Sequence, residues 1–145
     1  MLTSAMQDAI RRAELFPLAT ASTSGIPNVV PVKFVWVAAP DTLWIVDNYF
    51  DKTLANLRAN PKAALYVGSA DPKLCVQIKG DIAIHTEGED YETMKARARA
   101  EKPDAPARSL VVLHIREIYQ CLPGDGPGRR LWPEDGDTRM ESTAP

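Results

Sequence analysis

The sequence predicts a mainly β fold: a small, closed or nearly closed antiparallel barrel with helices packed outside it. Three observations predict it. There are six strand-like runs separated by tight turn signals, only two or three helical patterns, and no β-α-β alternation of the kind that builds a parallel sheet.

The elements follow in order. Ser4-Ala5-Met6-Gln7 has the form of a capping box, and Met6, Ala9, Ile10 and Ala13 recur at helical spacing. An amphipathic helix therefore opens the chain and ends near Leu15 to Pro17. Leu18 to Ser22 is a short strand, closed by the turn Ser24-Gly25-Ile26-Pro27. Asn28 to Val37 reads as one strand with Val30, Val32, Phe34 and Trp36 on one face, and Pro31 places it at an edge or a bulge. Ala39-Pro40-Asp41 turns the chain into a strand from Leu43 to Asp47. A helix over Lys52 to Arg58 follows, with Asp51 as its N-cap, Leu54 and Leu57 on its apolar side and Pro61 as its stop.

Ala63 to Ser69 is the fourth strand. Lys73 to His85 alternates, with Leu74, Val76, Ile78, Ile82 and Ile84 on one face, and Gly80 marks a bend in it. A helix from about Glu89 to Ala100 carries Tyr91, Met94 and Ala98 on one side. Leu110 to Tyr119 is the last strong strand, and its apolar face of Val111, Leu113 and Ile115 breaks at Glu117, where a bulge or exit is expected. Leu122 to Arg130, with Gly124, Gly126 and Gly128, reads as a flexible chain exit. The polar stretch from Pro133 to Pro145 has no apolar period and reads as a disordered tail. The domain is therefore expected to span residues 1–132, with 133–145 as the tail. Apolar residues on both sides of the second run, Val29, Val35 and Val37 opposite Val30 and Phe34, leave surplus apolar surface, for which a second copy of the chain is the simplest cover.

Composition removes several functions. At 145 residues, 45% hydrophobic and 25% charged with a net charge of −2, the chain has the make-up of one soluble domain. Nothing in that balance provides the basic face that nucleic acid or a membrane surface requires, and no run approaches the ~20 apolar residues of a membrane span. Met1 to Arg12 lacks the layout of a secretory signal, and Cys75 and Cys121 read as reduced thiols, so the expected location is cytoplasmic. There is no Gly-x-Ser-x-Gly elbow, Walker sequence or Gly-x-Gly-x-x-Gly. His85 and His114 stand on different strands without partners at ligand spacing, so no metal site is expected.

One segment carries chemistry. Asp51-Lys52-Thr53 opens a helix immediately after a strand and loop. The first N–H groups of such a helix are unpaired and lie at the positive end of its dipole. A lysine ammonium and a hydroxyl beside them make a cradle for a phosphate. Taken alone, the segment also reads as an ordinary solvated helix start.

The order of motifs resolves that ambiguity. Asn28-Val29-Val30-Pro31-Val32-Lys33, then Trp44 to Asn48, then Asp51-Lys52-Thr53 with Asn56-Leu57 and Asn60-Pro61, then Ala63-Ala64-Leu65, resembles the pyridoxamine 5′-phosphate oxidase-like family of FMN-binding split-barrel flavoproteins. Gln77-Ile78-Lys79-Gly80 and the stretch from Leu122 to Trp132 resemble further family features, so the likeness runs from about Leu18 to Trp132. It implies a six-stranded antiparallel split barrel, a homodimer, and FMN where the two chains meet. Carried over by position, Lys52 and Thr53 would hold the phosphate. Asn28, Val30, Pro31, Val32 and Lys33 would run along the flavin ring, with Lys33 at its pyrimidine side. Val46, Asp47 and Asn48 would touch it from the next strand, Gln77 would line the site, and Trp132 would reach the flavin held mainly by the other subunit. No catalytic residue is named.

There are departures from the family pattern. True pyridoxamine phosphate oxidases carry arginine where this chain has Asp51 and Asn28, which removes two bidentate phosphate contacts. Vitamin B6 oxidation is therefore not expected. The expected function is an FMN-dependent oxidoreductase acting on a small redox substrate or an electron-transfer partner. The alternatives are a non-catalytic flavin electron carrier and a deazaflavin-dependent reductase of the same fold.

Overall fold

The computed structural model describes residues 1–124 and 126–134. In chain order the elements are α1 (Ser4–Arg12), β1 (Phe16–Ala21), β2 (Pro27–Val32), β3 (Val35–Ala39), β4 (Thr42–Asp47), α2 (Lys52–Ala59), β5 (Lys62–Ala70), β6 (Lys73–His85), α3 (Glu89–Glu101), β7 (Ser109–Gln120) and β8 (Arg130–Trp132). All pairings are antiparallel, in the order β2-β1-β5-β6-β7-β4-β3, with β8 added against β7.

That order forces the sheet to curl. β2 and β3 are its two ends, yet only Lys33 and Phe34 separate them in sequence. Three Cα steps reach no more than about 11 Å. Seven strands laid flat at about 4.8 Å spacing would hold their outer members roughly 29 Å apart. The sheet therefore bends into a split barrel until its first and last strands nearly meet. α1 packs against β3 at one end of the order and against β5 and β6 in its middle, so it lies across the opening. Its Met6, Ala9 and Ile10 join Phe16, Leu18, Leu43, Ile45, Leu65, Ile78, Leu113 and Ile118 in the main core. α3 covers the outer face instead, where Tyr91, Met94 and Ala98 pack with Trp36, Val46, Leu110 and Val112.

Several sequence expectations are refined. The run from Asn28 to Val37 is two strands, because the chain must pass from one edge of the curled sheet to the other at Lys33 and Phe34. The break reverses the inside–outside alternation: Val32 is buried, and so is Val35. Val35 and Val37 thus belong to the core, and of that surplus surface only Val29 stays exposed, joined by Ile26 and Tyr49. Pro31 sits in an edge strand, as its missing donor requires, and opposes Pro17 in the register. The first helix is capped by Thr3, whose Oγ accepts from the Met6 N–H at 3.2 Å, while Gln7 donates to the Leu2 carbonyl. That helix ends at Arg12 because Ala13 is already extended. The stretch after Leu122 is not a chain exit: it leads back into β8, and Gly128 and Arg129 bond to Gln120. Of the tail, only Pro133 and Glu134 are described; 135–145, expected to be disordered, lie outside the described residues.

The bend at Gly80 has a clear cause. β6 and β7 are paired Lys79 with Glu117 and then Gly80 with Ile115, so Arg116 is the extra residue of a bulge. Its guanidinium donates to Asp81 at 2.7 Å, and Lys62 reaches the same carboxylate at 2.6 Å. The hydrogen bond from Lys62, reinforced by Arg116 against the effect of burial, holds the Asp81 carboxyl below its ordinary range. At the bulge the strands approach too closely for a side chain. A Cβ on Gly80 would run into the His114 carbonyl oxygen and lie 2.8 Å from the Leu113 side chain. Gly80→Ala should therefore lower stability by about 1–3 kcal/mol, the usual cost of overpacking. A urea midpoint equal to that of the unaltered chain would show that the bulge can relax.

Candidate functional site

The site begins with the turn that follows β4. Asp47 is fully buried, and both of its oxygens are occupied. Oδ1 accepts from the Phe50 N–H at 2.9 Å and from the Arg108 guanidinium at 3.2 Å, and Oδ2 accepts from the Ser109 hydroxyl at 2.9 Å. One carboxylate thus closes its own turn and ties it to the start of β7. Asn48 completes the junction by accepting from the Ala107 N–H at 2.9 Å. Ala107 has φ +44°, an uncommon conformation for a residue with a side chain, and is held on its other side by the Tyr91 hydroxyl, which donates to its carbonyl at 3.0 Å. This fixed turn delivers the chain to α2.

α2 is in turn clamped to β1 and β2 by polar side chains. The Asn28 amide donates to Thr53 Oγ at 3.0 Å and to Thr20 Oγ at 3.3 Å. Asn56 donates to the same Thr20 Oγ at 3.1 Å, and Asn60 to the Ala21 carbonyl at 3.2 Å. Thr53 is 1% exposed, and because its oxygen accepts from Asn28, its own hydrogen is left to donate elsewhere. Asp51 holds the N-cap position without a side-chain capping bond, so its carboxylate does not occupy the first-turn N–H groups.

Between these elements lies an open groove of about 730 Å³, within the roughly 300–1,000 Å³ usual for ligand sites. One wall is β2 from Asn28 to Val32 and continues through Lys33 and Phe34. The other is Val46, the turn from Asn48 to Asp51, and the helix start at Lys52 and Thr53. Lys102, just past α3, closes one side with its ammonium 5.5 Å from the centre of the Tyr49 ring.

Nine of the residues singled out from sequence therefore come together here: Asn28, Val30, Pro31, Val32, Lys33, Val46, Asn48, Lys52 and Thr53. Three do not. The side chain of Asp47 is consumed by the turn and the β7 junction. Gln77 is half-buried on β6 between Tyr66 and Tyr119, and Trp132 packs from β8 against the main core. Sequence reasoning missed Phe34, Tyr49, Phe50 and Lys102 as lining, and named Val29 and Asp51 only as members of their motifs. Phe34, Tyr49 and Phe50 lie within two positions of named residues, so proximity was the available signal. Lys102 arrives about fifty residues later, and nothing local marks it. Among the described residues no three His, Cys, Asp or Glu side chains gather as a metal site would require.

Comparison with known proteins now decides the family. A family model described as pyridoxamine 5′-phosphate oxidase matches residues 2–122, which include every residue lining the groove. The chain belongs to the pyridoxamine 5′-phosphate oxidase family. It is 34% identical over 132 residues to the uncharacterized protein MJ0282 of Methanocaldococcus jannaschii, covering 90% of this chain and 87% of that protein. Among solved structures it resembles HupZ of Group A Streptococcus, with TM-score 0.76 and 25% identity over 88% of this chain and 100% of HupZ. It also resembles an FMN-binding protein from Syntrophomonas wolfei, with TM-score 0.70 and 22% identity over 79% and 82% of the two chains. The split-barrel fold inferred from the resemblance is thus the fold of the family to which the chain belongs.

The groove depends on the buried turn, which makes Asp47 its structural keystone. Asp47→Ala removes the acceptor for three donors, one of them charged, and should destabilise the chain by about 3 kcal/mol. Urea denaturation measures this, and an unchanged midpoint would mean that the turn stands without its carboxylate.

Proposed function

We propose that the chain is an FMN-binding flavoprotein, probing redox chemistry in the groove between β2 and the start of α2, and that it works as an oxidoreductase. The observation that carries this reading is the meeting of an exposed edge strand with a lysine- and threonine-bearing helix start in one open groove. The donor set fits FMN. At one end are a cation, a hydroxyl hydrogen and the first-turn N–H groups, suited to a phosphate. Along the groove lies the valine- and proline-rich strand, suited to a flat ring, and at its far end stands a second cation, Lys33. When bound, FMN supplies the electron transfer itself, while the protein supplies orientation, anchoring and local charge.

The partner in the reaction is a small redox substrate or an electron-transfer protein. The aspartate and asparagine at positions 51 and 28 argue against vitamin B6 as that substrate. We propose a cytoplasmic location, which the two free thiols Cys75 and Cys121 support; separately, no helix among the described residues is long and apolar enough to cross a membrane. The absorption spectrum of the purified protein separates FMN from a deazaflavin.

Phosphate anchoring gives a direct test. The chain should bind one FMN per protomer and bind it more tightly than riboflavin. Lys52→Ala should weaken FMN binding by about 1.5–3 kcal/mol, the worth of a hydrogen bond to a charged group. Riboflavin affinity and the cofactor-free melting temperature should stay where they were, because Lys52 is exposed. Titration calorimetry reads both ligands, and equal affinities would remove the phosphate from this helix start.

The same reading includes a homodimer. Val29 is 65% exposed and Tyr49 is 70% exposed on the open side of the groove, with Ile26 66% exposed nearby. A second copy seated there would cover them, bring its own Trp132 toward the flavin, and bury more than about 1,200 Å². FMN should then stabilise the dimer by mass action. Analytical ultracentrifugation over a dilution series, with and without FMN, is the measurement; a monomer that binds FMN at full strength would overturn the shared site.

A further inference from the structure

A second site lies away from the groove, where β5, β6 and β7 run side by side. Val76 pairs with Gln120, the last registered pair of β6 and β7, and one position further along each segment brings Cys75 beside Cys121. The Cys121 N–H donates to the Cys75 carbonyl at 2.8 Å. Directly opposed residues on antiparallel strands project to the same face, so the two thiols are neighbours although they are 46 positions apart in sequence. Tyr66 completes the cluster: the Cys75 thiol donates to its hydroxyl at 3.3 Å. Gly68, opposite Cys75 on β5, makes room for that phenol, since a Cβ there would lie 2.8 Å from the Tyr66 oxygen. Cys75 is half-buried and Cys121 is exposed.

We propose that Cys75 and Cys121 form a reversible dithiol–disulfide couple that takes two electrons' worth of oxidation from peroxide. The exposed Cys121 sulfur attacks one peroxide oxygen, the O–O bond breaks, and a sulfenic acid and one water result. The Cys75 sulfur then attacks the Cys121 sulfur, forming the S–S bond and expelling the second water. Both sulfurs are oxidised, hydrogen peroxide is reduced to two waters, and the two thiol hydrogens leave in that water. A small thiol reductant reverses the step by exchange.

Two physical features shape the behaviour. Opposed Cβ atoms in an antiparallel pair stand about 4.5–5.5 Å apart, at or beyond the roughly 3.5–4.5 Å that a disulfide prefers. A bond formed here is strained and exposed, the combination that makes a disulfide easy to reduce. Burial, with the neighbouring Cys75 adding to it, pushes the Cys121 thiol up from its ordinary range. Its thiolate is therefore scarce at neutral pH and grows about tenfold per pH unit below the thiol's pKa. Cys121 directly follows β7 and precedes the return to β8, so the bond would pin the root of that turn to β6.

The test uses the full, reduced chain and hydrogen peroxide. Intact mass should fall by two hydrogens, a digest under non-reducing conditions should contain the Cys75 and Cys121 peptides joined within one chain, and dithiothreitol should restore both thiols. The rate should rise close to tenfold from pH 7 to pH 8. In Cys75→Ser and Cys121→Ser the remaining thiol should gain oxygen instead of losing hydrogen. Peroxide that adds oxygen to both cysteines of the unaltered chain, or that links them only between chains, overturns the proposal. That peptide map decides the matter even if a serine variant fails to fold.

Discussion

The link at Lys33 and Phe34 is the constraint on which the rest of the structure depends. Two residues join the first and last strands of the sheet order, and covalent geometry allows no flat solution. Curling leaves an interior that Leu18, Ile45, Leu65, Ile78 and Leu113 fill, and an opening across which α1 lays Met6, Ala9 and Ile10. It also leaves β2 with one unpaired edge beside its own crossing point. The groove forms there because the link holds β2 against the end of β4 and the turn beyond it.

A second layer of organisation is polar. Buried polar groups are costly unless paired, and paired ones specify geometry more sharply than apolar contacts do. Asp47 and Asn48 use that sharpness to join the turn after β4 to the segment before β7, and Asn28, Asn56 and Asn60 use it to set α2 on β1 and β2. No buried side-chain nitrogen or oxygen among the described residues is left without a partner. The groove walls are thus held by hydrogen bonds among their own side chains and to the strands beside them. This keeps the groove's own polar groups, the Thr53 hydrogen and the Lys52 ammonium, uncommitted.

What was legible in the sequence was local. The alternation of Lys73 to His85 with one glycine out of pattern located both a long strand and its bulge, since a period of two is visible without knowing the partner. The apolar side of α3 was legible for the same reason. The break at Lys33 and Phe34 was not, because every residue from Asn28 to Val37 suits a strand and only the closure of the sheet demands the interruption. Likewise Asp51 has the right chemistry for a cap but makes no capping bond, and the neighbouring Thr3 and Ser4 offer the same hydroxyl to α1. At the site, the order of motifs located nine lining residues. Asp47 has the same strand position but faces the β7 junction, where its partners Arg108 and Ser109 come from far along the chain. The meeting of Cys75 and Cys121 is equally non-local.

An open groove set against an edge strand has a further physical consequence. An edge exposes unpaired backbone N–H and C=O groups and invites another strand to pair with it. Pro31 weakens that invitation by removing one donor, and Lys33 places a charge at the strand's end. The same unpaired groups can serve the polar rim of a flat ligand, which satisfies them without extending the sheet. On the proposed reading, FMN and a second copy cover adjoining parts of one exposed surface, the ligand taking the backbone edge and the partner taking Val29 and Tyr49. Neither covers the surface alone. The apolar residues that look surplus in one chain and the polar edge that looks unprotected then have a single explanation.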